Sequence, residues 1–258
     1  MASLPDPVVR PLSHGRLHLC GERAASVLFV HGGFHGAWCW SPVMDRLAHN
    51  GISSAAIDLR GHGGLPQAPD FADQGLKAMG EDMMEALNAI GPDVVVVGHS
   101  LGALLALEAA TRVSLRGLML LAPALPAGLP SAHALPEFPE GRSVQPPPPA
   151  RARKWFMSGA TGADMDSYLA RLCPESARLL NDSFHGEAQI APASITCPRI
   201  ILSGARDDSP LHPQGQDQTL AAYLGAELSV VRASGHCMML DDGRQETTKI
   251  IYDWINAR

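Results

Sequence analysis

The sequence predicts an α/β fold, a mostly parallel central sheet with helices on both faces. Three observations carry this. Short β-rich apolar runs alternate with helical patterns along most of the chain, the order from which parallel sheets are built. The runs are apolar without clean alternation, which is how strands covered on both faces read. Several of them end directly in glycine-rich loops, and in such sheets functional residues gather where strands end.

The strand candidates in order are residues 26–30 (SVLFV), 53–59 (SSAAIDL), 94–97 (four valines between Pro92 and Gly98), 115–122 (LRGLMLLA), 199–203 (RIILS) and 227–232 (ELSVVR). Helices are expected over 40–50, with Pro42 suited to a first turn, and over 76–90, where apolar residues recur at 76, 79, 83, 87 and 90. The Ala/Leu-rich stretch 102–112 and the stretches 216–224 and 245–255 supply the remaining three. Residues 124–196 break the rhythm. They hold no strand candidate and include a four-proline run, 146–149, read as a rigid extended spacer. Short helical pieces follow near 165–172 and 175–184. The chain therefore divides into a core of residues 1–123 and 197–258 and an insertion, 124–196, expected to lie as a cap over the sheet edge.

Composition narrows the function. The 258 residues are 46% hydrophobic and 18% charged, which suits one large globular domain and excludes a wholly disordered chain. A chain of this length buries roughly 70–75% of its unfolded surface, so its core needs no covalent staple. With 20 Lys plus Arg against 26 Asp plus Glu, the net charge is -6, and no basic stripe offers a surface to nucleic acid or an anionic membrane. Cysteines stand at 20, 39, 173, 197 and 237. Their odd number and the lack of a Cys-x-x-Cys pair argue against a disulfide scaffold or a zinc ribbon. Residues 1–10 contain Pro5, Asp6 and Pro7 without an apolar core, so no signal peptide is expected. No run of ~18 apolar residues is present to span a membrane. A cytoplasmic protein follows as the expectation, with oligomeric state left open.

The chemistry centres on Gly98-His99-Ser100-Leu101-Gly102, which follows the valine strand and opens the Ala/Leu-rich helix. G-x-S-x-G between a strand and a helix is a nucleophile elbow. The turn is so tight that its flanking residues must be small, and it aims Ser100 at amides that favour developing negative charge. A serine hydroxyl needs a base to remove its proton. Among eleven histidines, His236 stands just after the last strand. His14, His18, His49, His133, His185 and His212 fall in loops or helices without such placement, and His31, His62 and His99 flank glycine turns as structural residues. An imidazole base needs an acid to fix its tautomer. Asp207 and Asp208 both follow the 199–203 strand, and Asp58 reads as a loop organiser. The order Ser100, Asp207, His236 is the Ser…Asp…His order of this architecture. The oxyanion donors are expected to be the Leu101 N–H and a backbone N–H of the loop 31–36, Gly33 first and Phe34 second. Phe34 and Met238 are the candidate substrate-binding residues. His31 and His35 have metal-like spacing only on a helix, which the glycines of that loop forbid. No P-loop or dinucleotide fingerprint follows a strand. Neither a metal nor an organic cofactor is expected. Cys237 reads as a buried, inert thiol.

These motifs resemble the α/β-hydrolase superfamily over nearly the whole chain outside the insertion. The carriers are His31-Gly32-Gly33, Asp58-Leu59-Arg60-Gly61-His62-Gly63, the Ser100 elbow, Gly204-Ala205-Arg206-Asp207 and Gly235-His236. The family's spacing from the glycine favours Asp207 over Asp208. HGGFHGAWCW is similar to the oxyanion loop of the plant methylesterase and hydroxynitrile lyase branch. The resemblance also separates reactions. Epoxide hydrolases and haloalkane dehalogenases carry an aspartate nucleophile, where this chain has Ser100. The lyases carry a lysine after the catalytic histidine, where this chain has Cys237. The implied activity is hydrolysis of a small-molecule carboxylic ester through an acyl-enzyme. Thioester or C–C hydrolysis would use the same residues. The same cleft would also suit a lyase of the hydroxynitrile lyase type, or a ligand receptor that keeps the triad.

Overall fold

A computed structural model describes residues 7–91, 93–131, 134–161, 165–186 and 188–258. Pro5, Asp6, Pro92 and His133, named above, lie outside them. The described strands are β1 (Val8–Pro11), β2 (Arg16–Cys20), β3 (Val27–Val30), β4 (Ser54–Asp58), β5 (Val95–His99), β6 (Gly117–Leu121), β7 (Ser143–Val144), β8 (Glu175–Ser176), β9 (Arg199–Gly204) and β10 (Glu227–Val231). The α-helices are α1 (Ser41–His49), α2 (Leu76–Ile90), α3 (Leu101–Ala110), α4 (Pro149–Phe156), α5 (Met165–Leu169), α6 (Ala177–Phe184), α7 (Gln216–Leu224) and α8 (Arg244–Asn256).

Eight strands form one sheet in the order β1-β2-β4-β3-β5-β6-β9-β10. Pairing is parallel from β4 through β10, while β2 runs antiparallel to both β1 and β4. The centre of the sheet is buried on both faces, its strands β3 to β6 being apolar except at Ser54, Asp58 and His99. In β5, Val96 packs into the layer of α2, α3 and α7, while Val95 and Val97 pack into the layer of α1 and α8. Phe29 of β3 lies in the second layer, stacked on Trp40 with ring centroids 4.8 Å apart. In-register pairing brings the carboxyl ends to one edge: Val30 lies beside Gly98, His99 beside Leu121, Leu121 beside Leu202, and Gly204 beside Val231. The loops after β3, β5, β9 and β10 therefore converge there.

Three readings of the sequence need correction. The N-terminal hairpin β1–β2 is additional to the expected strands. β1 is exposed along its whole length and lacks the apolar signal of a buried strand. The run 146–149 is not extended throughout, because Pro149 opens α4. Proline at the first helical position forfeits no hydrogen bond and arrives with helical φ. Residues 143–144 and 175–176 form a small antiparallel pair, β7–β8, in a stretch where the sequence offers no strand candidate. Among the described residues, no helix is long and apolar enough to cross a membrane.

Candidate active site

Ser100 stands between β5 and α3 with φ +53° and ψ -118°, a conformation that non-glycine residues seldom adopt. The neighbouring glycines make the turn possible. A Cβ on Gly98 would lie 2.6 Å from the Ala103 Cα, and one on Gly102 would collide with the carbonyls of Val30 and His31. The elbow is held by the Ser100 N–H donating to the Leu121 carbonyl at 2.9 Å, and by Ala103 and Ala124 N–H groups donating to the Ser100 carbonyl.

The strand ends bring His236 and Asp207 to this serine. His236 Nε2 lies 3.1 Å from Ser100 Oγ, and its Nδ1 lies 2.7 Å from Asp207 Oδ2. Burial pushes the Asp207 carboxyl up. Its contact with His236, together with the Ser209 N–H on Oδ1, outweighs burial and holds it below the usual range. Asp208, the other candidate, points outward and lies 3.3 Å from Lys154 Nζ. The His236 loop is braced by Asp241, which accepts from the Gly235 N–H and from Ser234 Oγ.

The cavity at Ser100 is small, about 30 Å³, and Gly33, Phe34, Phe156, Leu180, Phe184 and Leu211 are among its walls. Leu101 also lines it, and as the first residue of α3 its N–H has no intrahelical acceptor. Gly33 N–H donates to no described acceptor, whereas Phe34 N–H donates to Glu175 Oε2 at 3.1 Å. Gly32 must be glycine here, since a Cβ would lie 2.9 Å from His99 Nδ1 and 3.0 Å from Ser100 Cβ. Met238 is not brought to the cavity. It is fully buried in the core beside Cys237 and Met239, because the chain turns inward directly after His236. Cys237 is buried, and burial pushes its thiol well above the ordinary range. A larger cavity, about 810 Å³, lies between α1 and α8, but no serine, histidine or cysteine lines it.

Asp58 organises loops as its position suggests. It accepts from the Ala37 N–H at 2.6 Å, from Arg16 Nε at 2.7 Å and pairs with His18. His31 accepts from the Leu59 N–H through Nε2, and His99 Nε2 donates to the His236 carbonyl.

Three buried groups carry no sequence signal of their own. His212 lines the cavity, its ring centroid 5.4 Å from that of His236 and its Nε2 3.1 Å from Asp217. Among the described residues, Asp207, His212 and His236 have donor atoms within 4.8 Å of one another, close enough to ligate a metal ion. The existing contacts of these donors with each other and with Asp217 would have to break first. Tyr168 OH lies 2.8 Å from His35 Nε2. Glu175, from β8, is fully buried and lies 2.9 Å from His62 Nε2. His62 Nδ1 faces the Arg60 carbonyl at 2.8 Å. Both ring nitrogens of His62 thus face oxygen atoms, the arrangement that suits an imidazolium beside an ionised Glu175.

Burial opposes charge on both members of that pair, but each partner outweighs it: His62 is raised and Glu175 lowered. The sign of the stability effect follows. Glu175 contributes above its unfolded value of about 4.3 and ceases to as pH falls through its depressed folded value. His62 contributes fully below about 6.5 and ceases to as pH rises through its elevated folded value. Glu175→Gln is therefore expected to lower stability by about 3–5 kcal/mol, the usual cost of orphaning one partner of a buried pair. Denaturation from pH 4 to 9 should show the gap to wild type widest at about pH 4.5–6.5. A gap independent of pH would mean that the pair is not ionised.

The fold agrees with the comparisons with known proteins. Residues 27–249 match the family model described as "Alpha/beta hydrolase family". Methylesterase 9 of Arabidopsis thaliana is 41% identical over 86 residues, covering 32% of this chain and 33% of that protein. The matched stretch thus spans about a third of that relative's length. The pFDCC methylesterase MES16 of Arabidopsis thaliana is 25% identical over 237 residues, 83% of this chain and 88% of that protein. A crystal structure of Arabidopsis MES16 superposes with a TM-score of 0.75 at 20% identity, covering 91% of this chain and all of that one. The chain belongs to the alpha/beta hydrolase family.

Proposed function

We propose that this chain is a serine hydrolase that cleaves carboxylic esters through an acyl-enzyme on Ser100. The observation that carries the reading is the unbroken relay Asp207–His236–Ser100, at 2.7 and 3.1 Å, built on a strained elbow at the sheet's carboxyl edge. The methylesterase names of its relatives support the ester as substrate class.

In this reading His236 Nε2 takes the Ser100 proton as Oγ attacks the carbonyl carbon. Asp207 keeps the other proton on Nδ1 and stabilises the imidazolium. The tetrahedral oxyanion is met by the N–H groups of Gly33 and Leu101, each worth about 3–4 kcal/mol to the transition state. The imidazolium then protonates the leaving alcohol, and water repeats the sequence to release the acid. Residues 124–196 act as a cap, since Phe156, Leu180 and Phe184 from that stretch wall the cavity.

Labelling with a fluorophosphonate, with the adduct located by mass spectrometry, tests the nucleophile. A panel of p-nitrophenyl esters tests the reaction. The adduct is expected on Ser100. Because the cavity is only about 30 Å³, turnover should be fastest with acetate and fall as the acyl chain lengthens. A second cavity of about 140 Å³ shares Ala124, Phe184 and Leu211 with the first. Phe184→Ala should join the two and shift the preference toward longer chains. No adduct on folded protein would overturn the reading; an adduct with no ester turnover would favour a lyase or a receptor.

A further inference from the structure

The Gly33–Phe34 peptide is held at its N–H by a residue far away in the chain and at its carbonyl by the nearby His35, which a second distant residue orients. Its N–H donates to Glu175 Oε2 at 3.1 Å. Its carbonyl faces His35 Nδ1 at 2.6 Å. Burial pushes His35 down to about 3, so the ring is neutral. With a carbonyl opposite Nδ1, the proton sits there, and Nε2 accepts from Tyr168 OH at 2.8 Å. The next carbonyl, that of Phe34, accepts from the Cys173 N–H at 3.0 Å. Glu175, Tyr168 and Cys173 all belong to residues 124–196. Phe34 itself has φ +66°, a conformation that a bulky side chain adopts only when its surroundings impose it.

Orientation of this one peptide decides which amide serves the substrate. The Phe34 N–H is taken up by Glu175 Oε2, while the Gly33 N–H, which belongs to the preceding Gly32–Gly33 peptide, donates to no described acceptor and Gly33 lines the cavity with Ser100. Rotation of the Gly33–Phe34 plane would release the Phe34 N–H from Glu175 and, because the two planes share the Gly33 Cα, would disturb the setting of the Gly33 N–H. Resting on the ester-hydrolase reading above, we propose that Glu175 and Tyr168 are positioning residues for catalysis: they lock the Gly33–Phe34 peptide so that the oxyanion hole is built by the inserted segment and not by the core alone. The segment that covers the site thereby also completes its electrostatics. Neither residue touches the substrate carbonyl; each acts through the backbone of the loop.

A positioning role separates transition-state stabilisation from ground-state binding. The test uses the full chain, with Tyr168→Phe and Glu175→Gln, and p-nitrophenyl acetate as substrate. Tyr168→Phe keeps the ring and removes only the hydroxyl, so it remains informative if Glu175→Gln folds poorly. Inhibition by methylboronic acid is measured beside turnover, since its adduct on Ser100 places an oxygen in the hole and its single carbon matches the acetyl group. The expected result is a fall in kcat of about 10- to 100-fold, the scale of a misplacement near 1 Å, with KM within about twofold of wild type. The inhibition constant for methylboronic acid should rise by a similar factor. Tyr168→Phe with wild-type kcat and wild-type boronic acid affinity would overturn the proposal while leaving the ester hydrolase intact. Equal losses for substrate and boronic acid, with kcat unchanged, would overturn it too, as they would report a pocket effect. Wild-type protein that neither turns over the ester nor binds the boronic acid would remove the hydrolase reading, and this inference with it.

Discussion

Ser100→Ala is expected to abolish ester turnover and fluorophosphonate labelling while the protein stays folded. Loss of the nucleophile alone costs on the order of 10⁶ in kcat in hydrolases with this relay, because the base and the acid have nothing to act through once it is gone. The elbow adds a stability signature. Serine and alanine both carry a Cβ, so alanine inherits the strain of φ +53°. Ser100→Gly releases it and should be more stable than Ser100→Ala by ~1–2 kcal/mol, the usual cost of a side chain in left-handed backbone. Calorimetry of the two inactive variants measures this difference. Retained turnover in Ser100→Ala would remove the assignment, and identical stabilities would mean that the turn is unstrained.

Asp207→Asn is expected to cost about 10⁴ in kcat, and Asp208→Asn almost nothing. The two carboxylates are neighbours in sequence but not in surroundings. The Asp207 side chain is buried, with Oδ2 on His236 Nδ1 and Oδ1 on the Ser209 N–H. Asp208 is two-thirds exposed, its side chain at 67% relative accessibility, so its contact with Lys154 is screened and worth little. An asparagine at 207 can present its NH₂ to Nδ1, which moves the imidazole proton to Nε2, where Ser100 needs an acceptor. Steady-state kinetics of both variants checks this. A crippling effect confined to Asp208→Asn would transfer the acid role to that residue.

Much of the frame is legible because it depends on local chemistry. A tight strand-to-helix turn tolerates only small neighbours, so Gly98 and Gly102 mark Ser100 without any knowledge of tertiary contacts. The central strands announce themselves because strands covered on both faces are apolar at nearly every position. The parts that escape have local reasons too. β1 carries no buried face, and β2 is short with Leu17 and Leu19 alternating against polar residues. Pro149 reads as a break although it can begin a helix. Met238 lies next but one to His236, and adjacency in sequence suggests a place in the pocket. The backbone turns inward there and buries it.

What the sequence by itself determined is the order of elements, the sheet's parallel centre, the elbow, and the candidates for nucleophile, base and acid. Each is written in periodicity, glycine placement or chain order, which are short-range properties. The family resemblance favours Asp207 over Asp208, but only the tertiary structure shows how the two differ in direction and burial, with Asp207 on His236 and Asp208 exposed. Only it disclosed His212 beside His236, and Glu175 and Tyr168 behind the oxyanion loop. Glu175 meets Phe34 across 141 positions of chain, and Tyr168 meets His35 across 133. A buried carboxylate or phenol is stabilised by whichever donors and acceptors the fold brings within about 3 Å, and no pattern in its own neighbourhood along the chain encodes what those partners are.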